Sequence, residues 1–233
     1  MQLFYDSNFN AIDERIQVGA EESRHIAKVL RKQIGDNVSI TNGKGLLVEG
    51  ILRSNHPKKC EIEVLKRKQS NSPKTYLHIA IAPTKANDRF EWFLEKSTEI
   101  GIQEITPLLC DHSERKVIKW ERYQKVLLSA MKQSLNTFLP KLNNLTPFID
   151  FVNSSLDTNK LIAHCENEPK ESLSKILSSS NTILIGPEGD FSSDEIQLAL
   201  SKDFKAVSLS ESRLRTETAG IVACHTTNLI QSL

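Results

Sequence analysis

The spacing of apolar residues changes once along the chain, close to residue 70. Before that point, apolar and polar residues alternate in short runs. In Cys60-Glu-Ile-Glu-Val-Leu65, for instance, Cys60, Ile62 and Val64 share one side, the period-two signature of a half-buried strand. Ala11–Val18, Asn37–Thr41, Leu46–Leu52 and Cys60–Leu65 are expected to be strands, and Asn42-Gly43-Lys44-Gly45 supplies a tight turn. Glu21–Lys32 follows a helical period, with Ile26, Val29 and Leu30 on one face and Arg24, Lys28, Arg31 and Lys32 elsewhere. Short strands around one helix predict a small barrel. Gln69–Pro73 reads as a linker.

From Thr75 onward the pattern becomes strand, helix, strand. Apolar runs at Tyr76–Ala82, Glu104–Leu109, Lys160–His164, Thr182–Ile185 and Ala206–Leu209 predict strands. Helices are expected at Asp88–Ile100 (closed by Gly101), Trp120–Leu135, Ser172–Leu177, Asp194–Ser201 and Thr216–Ile230. Ser192 and Glu195 stand at capping-box spacing before the fourth helix. This alternation implies an α/β domain built on a mainly parallel sheet. Phe90, Trp92, Phe93 and Leu94 read as core packing of its first helix rather than as a platform for base stacking.

Composition narrows the picture only slightly. The 233 residues are 39% hydrophobic and 25% charged, which suits a globular chain of two unequal domains. No run is apolar enough to span a bilayer, and the opening MQLFYDSNFN has no signal-peptide character, so no membrane association is expected. Cys60, Cys110, Cys165 and Cys224 are widely separated, which argues against a zinc site or disulfide framework and fits a reducing, cytoplasmic setting. Net charge is +1, but residues 1–70 carry 12 Lys/Arg against 9 Asp/Glu and the remainder 18 against 20, so the front end is mildly basic.

Ligands bind beyond the carboxyl ends of strands in parallel sheets. Three such ends draw attention: Leu161-Ile-Ala-His-Cys-Glu166, Ile183-Leu-Ile-Gly-Pro-Glu-Gly-Asp-Phe191, and Val207-Ser-Leu-Ser-Glu-Ser-Arg-Leu-Arg-Thr-Glu-Thr218. Gly186 and Gly189 allow close backbone approach to a ligand, and equally suit a plain strand-to-helix turn. Glu188 and Asp190 disfavour a phosphate there and tolerate a cationic centre such as a sulfonium. Arg213 and Arg215 open the last helix against its dipole, which fits either an anion facing them or a surface Arg215–Glu217 pair. His164 and Cys165, adjacent on a strand end, point apart and read as structural rather than as a nucleophile and its base.

Leu184-Ile-Gly-Pro-Glu-Gly-Asp-Phe-Ser-Ser-Asp-Glu195 together with Leu214-Arg-Thr-Glu-Thr-Ala219 strongly resembles the ribosomal small-subunit RNA methyltransferase E family. The likeness extends to His25-Ile-Ala-Lys-Val-Leu-Arg31, Lys96-Ser-Thr-Glu-Ile-Gly101, Pro107 and Ser113-Glu-Arg115. It departs at Asp190, where the family has a second Gly, at Leu209-Ser-Glu-Ser212, and at Lys132 and Asn136.

The resemblance implies a PUA-like RNA-binding β-barrel over residues 1–70 and, over 74–233, a SPOUT-type α/β domain with a deep C-terminal trefoil knot. It implies S-adenosylmethionine as cofactor, no metal, a homodimer, and N3 of a uridine in the 16S ribosomal RNA of the small subunit as target. An inactive RNA-binding or assembly factor on the same fold is the alternative. Arg215 and Glu217 are implied as catalytic. Leu161, Ala163, His164, Ile185, Gly186, Pro187, Glu188, Gly189, Leu209, Ser210 and Leu214 are implied to bind cofactor. Arg24, His25, Lys28, Arg31, Lys85, Arg89 and Arg115 are implied to bind RNA, and Lys66–Lys68 would add phosphate contacts.

Overall fold

The structure is a computed structural model that describes residues 2–167 and 169–232. The chain divides into two compact units, Met1–Ser72 with Met131–Leu139, and Pro73–Ala130 with Pro140–Leu233.

The first unit is one five-stranded sheet of β1 (Leu3–Tyr5), β2 (Arg15–Gln17), β3 (Asn37–Thr41), β4 (Leu46–His56) and β5 (Lys59–Gln69), ordered β1-β3-β4-β5-β2. β1 runs parallel to β3; the other pairs are antiparallel. Burial alternates along β4, and every strand sends residues into a single core around Ile26: Phe4, Ile16, Val38, Ile40, Val48, Leu52 and Ile62. A single sheet with a single core must curl on itself. The register of β4 against β5 shifts at Glu49/Gly50 and at Leu52/Ser54, and such bulges bend a strand. Gly50 sits at the first shift, where a Cβ would run into the Glu63 carbonyl.

The helix expected at Glu21–Lys32 is shorter and broken. α1 (Ala20–Arg24) passes into one wide π turn over His25–Val29, with Leu30 N donating to His25 O, and Arg31 ends it at φ 52°. The extra residue in that turn rotates Val29 off the apolar face, so Val29 is 65% exposed while Ile26 is fully buried. Lys132, in the Met131–Leu139 segment, is tied to Glu22, which also meets His25. That segment carries Thr137, whose carbonyl accepts from Gly45 N (2.9 Å).

The second unit holds β6 (Tyr76–Ile81), β7 (Glu104–Leu109), β8 (Lys141–Leu142), β9 (Thr146–Pro147), β10 (Asn159–Ala163), β11 (Glu171–Ser172), β12 (Ser180–Ile185) and β13 (Lys205–Ser208). The order is β11-β13-β10-β12-β6-β7-β8, with β9 beside β7, and every pairing is parallel. Its helices are α2 (Asn87–Ile100), α3 (Trp120–Gln133, whose end from Met131 falls in the first unit), α4 (Phe148–Asn153), α5 (Leu173–Ile176), α6 (Ser193–Ser201) and α7 (Thr216–Ser232). β6 and β12 are buried almost throughout, as central strands covered on both faces must be.

Chain order and strand order disagree around β10. β12 lies on one side of it and the later β13 on the other, yet α7 then packs back on β6 and α2. That order is consistent with the C-terminal trefoil knot that the resemblance implies. Among the described residues, no helix is long and apolar enough to cross a membrane.

Candidate active site

The parallel register brings three strand ends abreast: Ala163 of β10 stands opposite Ile185 of β12 and Val207 of β13. The loops that follow form the walls of two adjoining clefts of about 290 and 320 Å³, both lined by Ala163, Cys165, Arg213, Leu214 and Ala219. Together they fall within the range for small-ligand pockets, roughly 300–1,000 Å³.

The Gly186–Phe191 loop is held by its own bonds. Asp190 takes the left-handed region at φ 65°, where Gly or Asp/Asn is tolerated. Its carboxylate accepts from Cys165 N (2.7 Å) and Phe191 N (2.9 Å), tying the loop after β10 to the loop after β12. Glu188 accepts from Lys85 N (2.9 Å), and Thr216 Oγ1 donates to Gly186 O (3.1 Å), pinning the start of α7. His112 Nδ1–H donates to the carbonyls of Gly189 and Asp190. The loop enters α6 through a complete capping box, in which Glu195 receives Ser192 N and also Asp111 N (3.0 Å). Burial pushes the Glu195 carboxyl up against these two N–H donors, which pull it down.

Most implied cofactor residues lie on these walls: Ala163, His164, Leu209, Ser210 and Leu214 on one cleft, and Ile185, Gly186, Pro187 and Glu188 on the other. Leu161 and Gly189 do not. Leu161 is two residues short of its strand end and wholly buried between β12 and β13. A Cβ on Gly189 would meet His112, and one on Gly186 would meet Phe191, so both positions are also tightly packed within the protein.

Arg215 and Glu217 reach the site but not as a surface pair. Glu217 is 7% exposed, its Oε1 lies 4.0 Å from Arg89 Nε, and its Oε2 has no hydrogen-bond partner among the described residues. A buried carboxylate oxygen left unpaired is costly and calls for a donor. Arg215 is exposed on the rim of the same cleft. Trp92 corrects the core assignment. Phe90, Phe93 and Leu94 are buried, but Trp92 is 43% exposed and lines a groove of about 700 Å³ with Asp88, Arg89, Arg213, Arg215 and Glu217. The helical period carried that signal, since Trp92 falls off the stripe Phe90–Phe93–Leu94–Ser97.

The basic residues divide. Arg24, Lys28 and Arg31 are exposed, and His25 is half-buried against Phe4 and Glu22. Lys85 is paired with Glu114 (2.7 Å). Arg115 is not placed as a free RNA contact: its Nε and Nη2 donate to the carbonyls of Thr84 and Lys85, so it braces the loop after β6. Among the described residues, no cluster of His, Cys, Asp and Glu is arranged to hold a metal ion. Cys60, Cys110 and Cys224 are buried free thiols whose pKa burial pushes up, Cys224 to about 12; Cys165 is exposed on the cleft.

An RNA methyltransferase domain model matches residues 70–228, and an RNA methyltransferase PUA domain model matches 18–65. The Ribosomal RNA small subunit methyltransferase E of Buchnera aphidicola is 32% identical over 218 residues, covering 88% of this chain and 84% of that protein. A probable rRNA-methyltransferase from Porphyromonas gingivalis superposes with a TM-score of 0.89 at 37% identity, covering 100% of this chain and 99% of that one. The Neisseria gonorrhoeae Ribosomal RNA small subunit methyltransferase E bound to S-adenosyl methionine gives 0.86 at 26% identity, covering 96% and 95%.

Proposed function

The chain belongs to the ribosomal RNA small subunit methyltransferase E family, and from that premise we propose that it methylates N3 of one uridine in 16S ribosomal RNA, using S-adenosylmethionine. It works in the cytoplasm as a homodimer. The observation that carries this reading is the joined cleft at three strand ends, with the buried Glu217 carboxylate on its wall.

The donor set suits the cofactor. Glu166, Glu211, Lys170 and Arg213 all line one cleft, a balanced set of charges for a zwitterion, and Ala163, Val207 and Leu214 offer apolar surface. When bound, S-adenosylmethionine supplies an electrophilic methyl on a sulfonium centre. The residues Ala163, His164, Ile185–Glu188, Leu209, Ser210 and Leu214 would hold it. The chain's own task is then to position and deprotonate the base. Uracil N3 is an imide nitrogen whose lone pair becomes available as its proton leaves. Glu217 takes that proton, and Arg215 stabilises the negative charge that grows on the ring oxygens. Arg24, His25, Lys28 and Arg31 in the first unit, helped by Lys66–Lys68, contact phosphates and set register without reading sequence.

Primer extension across 16S RNA incubated with protein and S-adenosylmethionine tests the reading. Methylation at N3 blocks base pairing, so one new stop at a uridine is expected. Read-through identical to untreated RNA overturns it.

A further inference from the structure

Three features converge on the groove beside α2 and the start of α7. The first is Trp92, an indole left 43% exposed on a helix whose phenylalanines, Phe90 and Phe93, are buried. Taken singly, an exposed apolar side chain is ordinary. The second is Glu217 Oε2, buried, on the groove wall, and without a hydrogen-bond partner among the described residues. The third is the concentration of Arg89, Arg213 and Arg215 along the same groove, which Asp88 and Glu217 also line.

These demand a ligand of stated chemistry. Arginines along a channel suit a phosphodiester, and an exposed indole suits a planar base. A buried carboxylate oxygen wants an N–H donor. Of the two standard RNA pyrimidines only uracil presents one at N3, its imide N–H, flanked by two carbonyl acceptors. Cytosine offers a bare N3 lone pair, which the carboxylate repels. The sequence of groups that reads a uracil edge is donor, acceptor, donor, and Glu217 has Arg89 at 4.0 Å and Arg215 nearby on the chain.

We propose that this groove is a uracil-selecting pocket, in which Trp92 stacks on the unstacked target base and Glu217, flanked by Arg89 and Arg215, reads its edge. It rests on the function proposed above and adds the base platform and the source of selectivity against cytosine. A target base must leave its own stack to be modified, and an aromatic face replaces part of what it loses.

The test uses the full chain with Trp92→Phe, Trp92→Leu and Trp92→Ala. Single-turnover methylation of transcribed 16S RNA is measured at saturating S-adenosylmethionine, with cofactor affinity taken from calorimetry. Stacking predicts that Leu and Ala slow transfer by roughly 5- to 150-fold, the range for losing one base–aromatic stack, while Phe restores most of the rate. Cofactor affinity stays within about twofold of wild type, because a stack on the base leaves the cofactor walls untouched. Leu fills the same groove without a π-face, so rescue by Leu overturns stacking and leaves Trp92 a packing residue. Dissociation of the Ala variant into smaller species on light scattering also overturns it, making Trp92 a subunit contact. RNA with cytosine at the target should not be methylated and should compete poorly; equal competition overturns the edge-reading role. If the unaltered chain transfers no methyl at all, the parent reading fails and this inference falls with it.

Discussion

Replacing Asp190 separates backbone strain from hydrogen bonding at the loop that joins two walls of the cleft. Asp190 holds φ 65° and spends both carboxylate oxygens on backbone N–H groups, Cys165 at 2.7 Å and Phe191 at 2.9 Å. Each bond, partly exposed, contributes about 1 kcal/mol. An L-residue without a local polar side chain costs about 1 kcal/mol or more in the left-handed region, and Gly costs nothing there. Asp190→Ala therefore loses both bonds and adds strain, for about 2–3 kcal/mol. Asp190→Gly loses the bonds and relieves at most about 1 kcal/mol of strain, for about 1–2 kcal/mol. In a chain of this size 1 kcal/mol moves Tm by roughly 2–4 °C, so Ala should lower Tm by roughly 4–12 °C and Gly by roughly 2–8 °C. Differential scanning calorimetry reads both, and S-adenosylmethionine titration should show weaker binding in the Ala variant, because the β10 loop is released from the β12 loop. Equal melting of the Ala and Gly variants would refute the strain argument. Unchanged cofactor affinity in Ala would refute the tie between the loops.

Three further outcomes follow from the same geometry. Arg215→Ala should slow methyl transfer by something on the order of 10²–10³-fold with little change in cofactor affinity, and Arg215→Lys should recover only part of it; near-normal single-turnover rates would reduce Arg215 to a rim residue. Burial holds the His78 imidazole at about 4, below its ordinary 6.5, with Glu104 opposing and Lys141 assisting the shift. The unfolded chain therefore takes up that proton first, and stability falls as pH drops from 6.5 to 4, by about 3 kcal/mol. Burial works against the Glu104 carboxylate, but bonds from Tyr76, Asn143 and Lys141 outweigh it and hold the group at about 2, extending the loss from pH 4.5 downward. His78→Gln, which keeps a bond to Thr106, should flatten the upper part of that loss in urea titrations at pH 7 and 4.5. Alanine at both Arg24 and Arg31 should reduce the slope of log affinity against log salt for 16S RNA by roughly 1–2, and an unchanged slope would place the RNA elsewhere.

The parts of the fold written in local periodicity were legible. β3 and β7 match the expected boundaries, α2 and α6 begin one residue early, and the Ser192–Glu195 capping box is present. Elements too short to show a period were not: β1, the two-residue strands β8, β9 and β11, and α4 all depend on neighbours distant in sequence. The π turn at His25–Val29 and the folding of Met131–Leu139 with the first unit are likewise tertiary decisions. At the site, the strand-end loops announced themselves by Gly, Pro and charge. Arg115 gave no warning that its guanidinium would close on carbonyls 30 residues away, nor Gly189 that its neighbour would be His112, because both facts live in the packing. Asp190 is the converse: a residue that departs from the family pattern proves interpretable, since its side chain replaces with hydrogen bonds the freedom that Gly would have had.

The central claim is that the cleft at Ala163, Ile185 and Val207 delivers a methyl group to N3 of a uridine, and nucleoside analysis addresses it directly. 16S RNA is incubated with the protein and methyl-labelled S-adenosylmethionine, digested to nucleosides, and separated by mass spectrometry. The account predicts label in 3-methyluridine alone, approaching one per RNA, and its near-complete loss in Glu217→Gln. Label in a ribose-methylated or C5-methylated nucleoside, or no label at all, would contradict it.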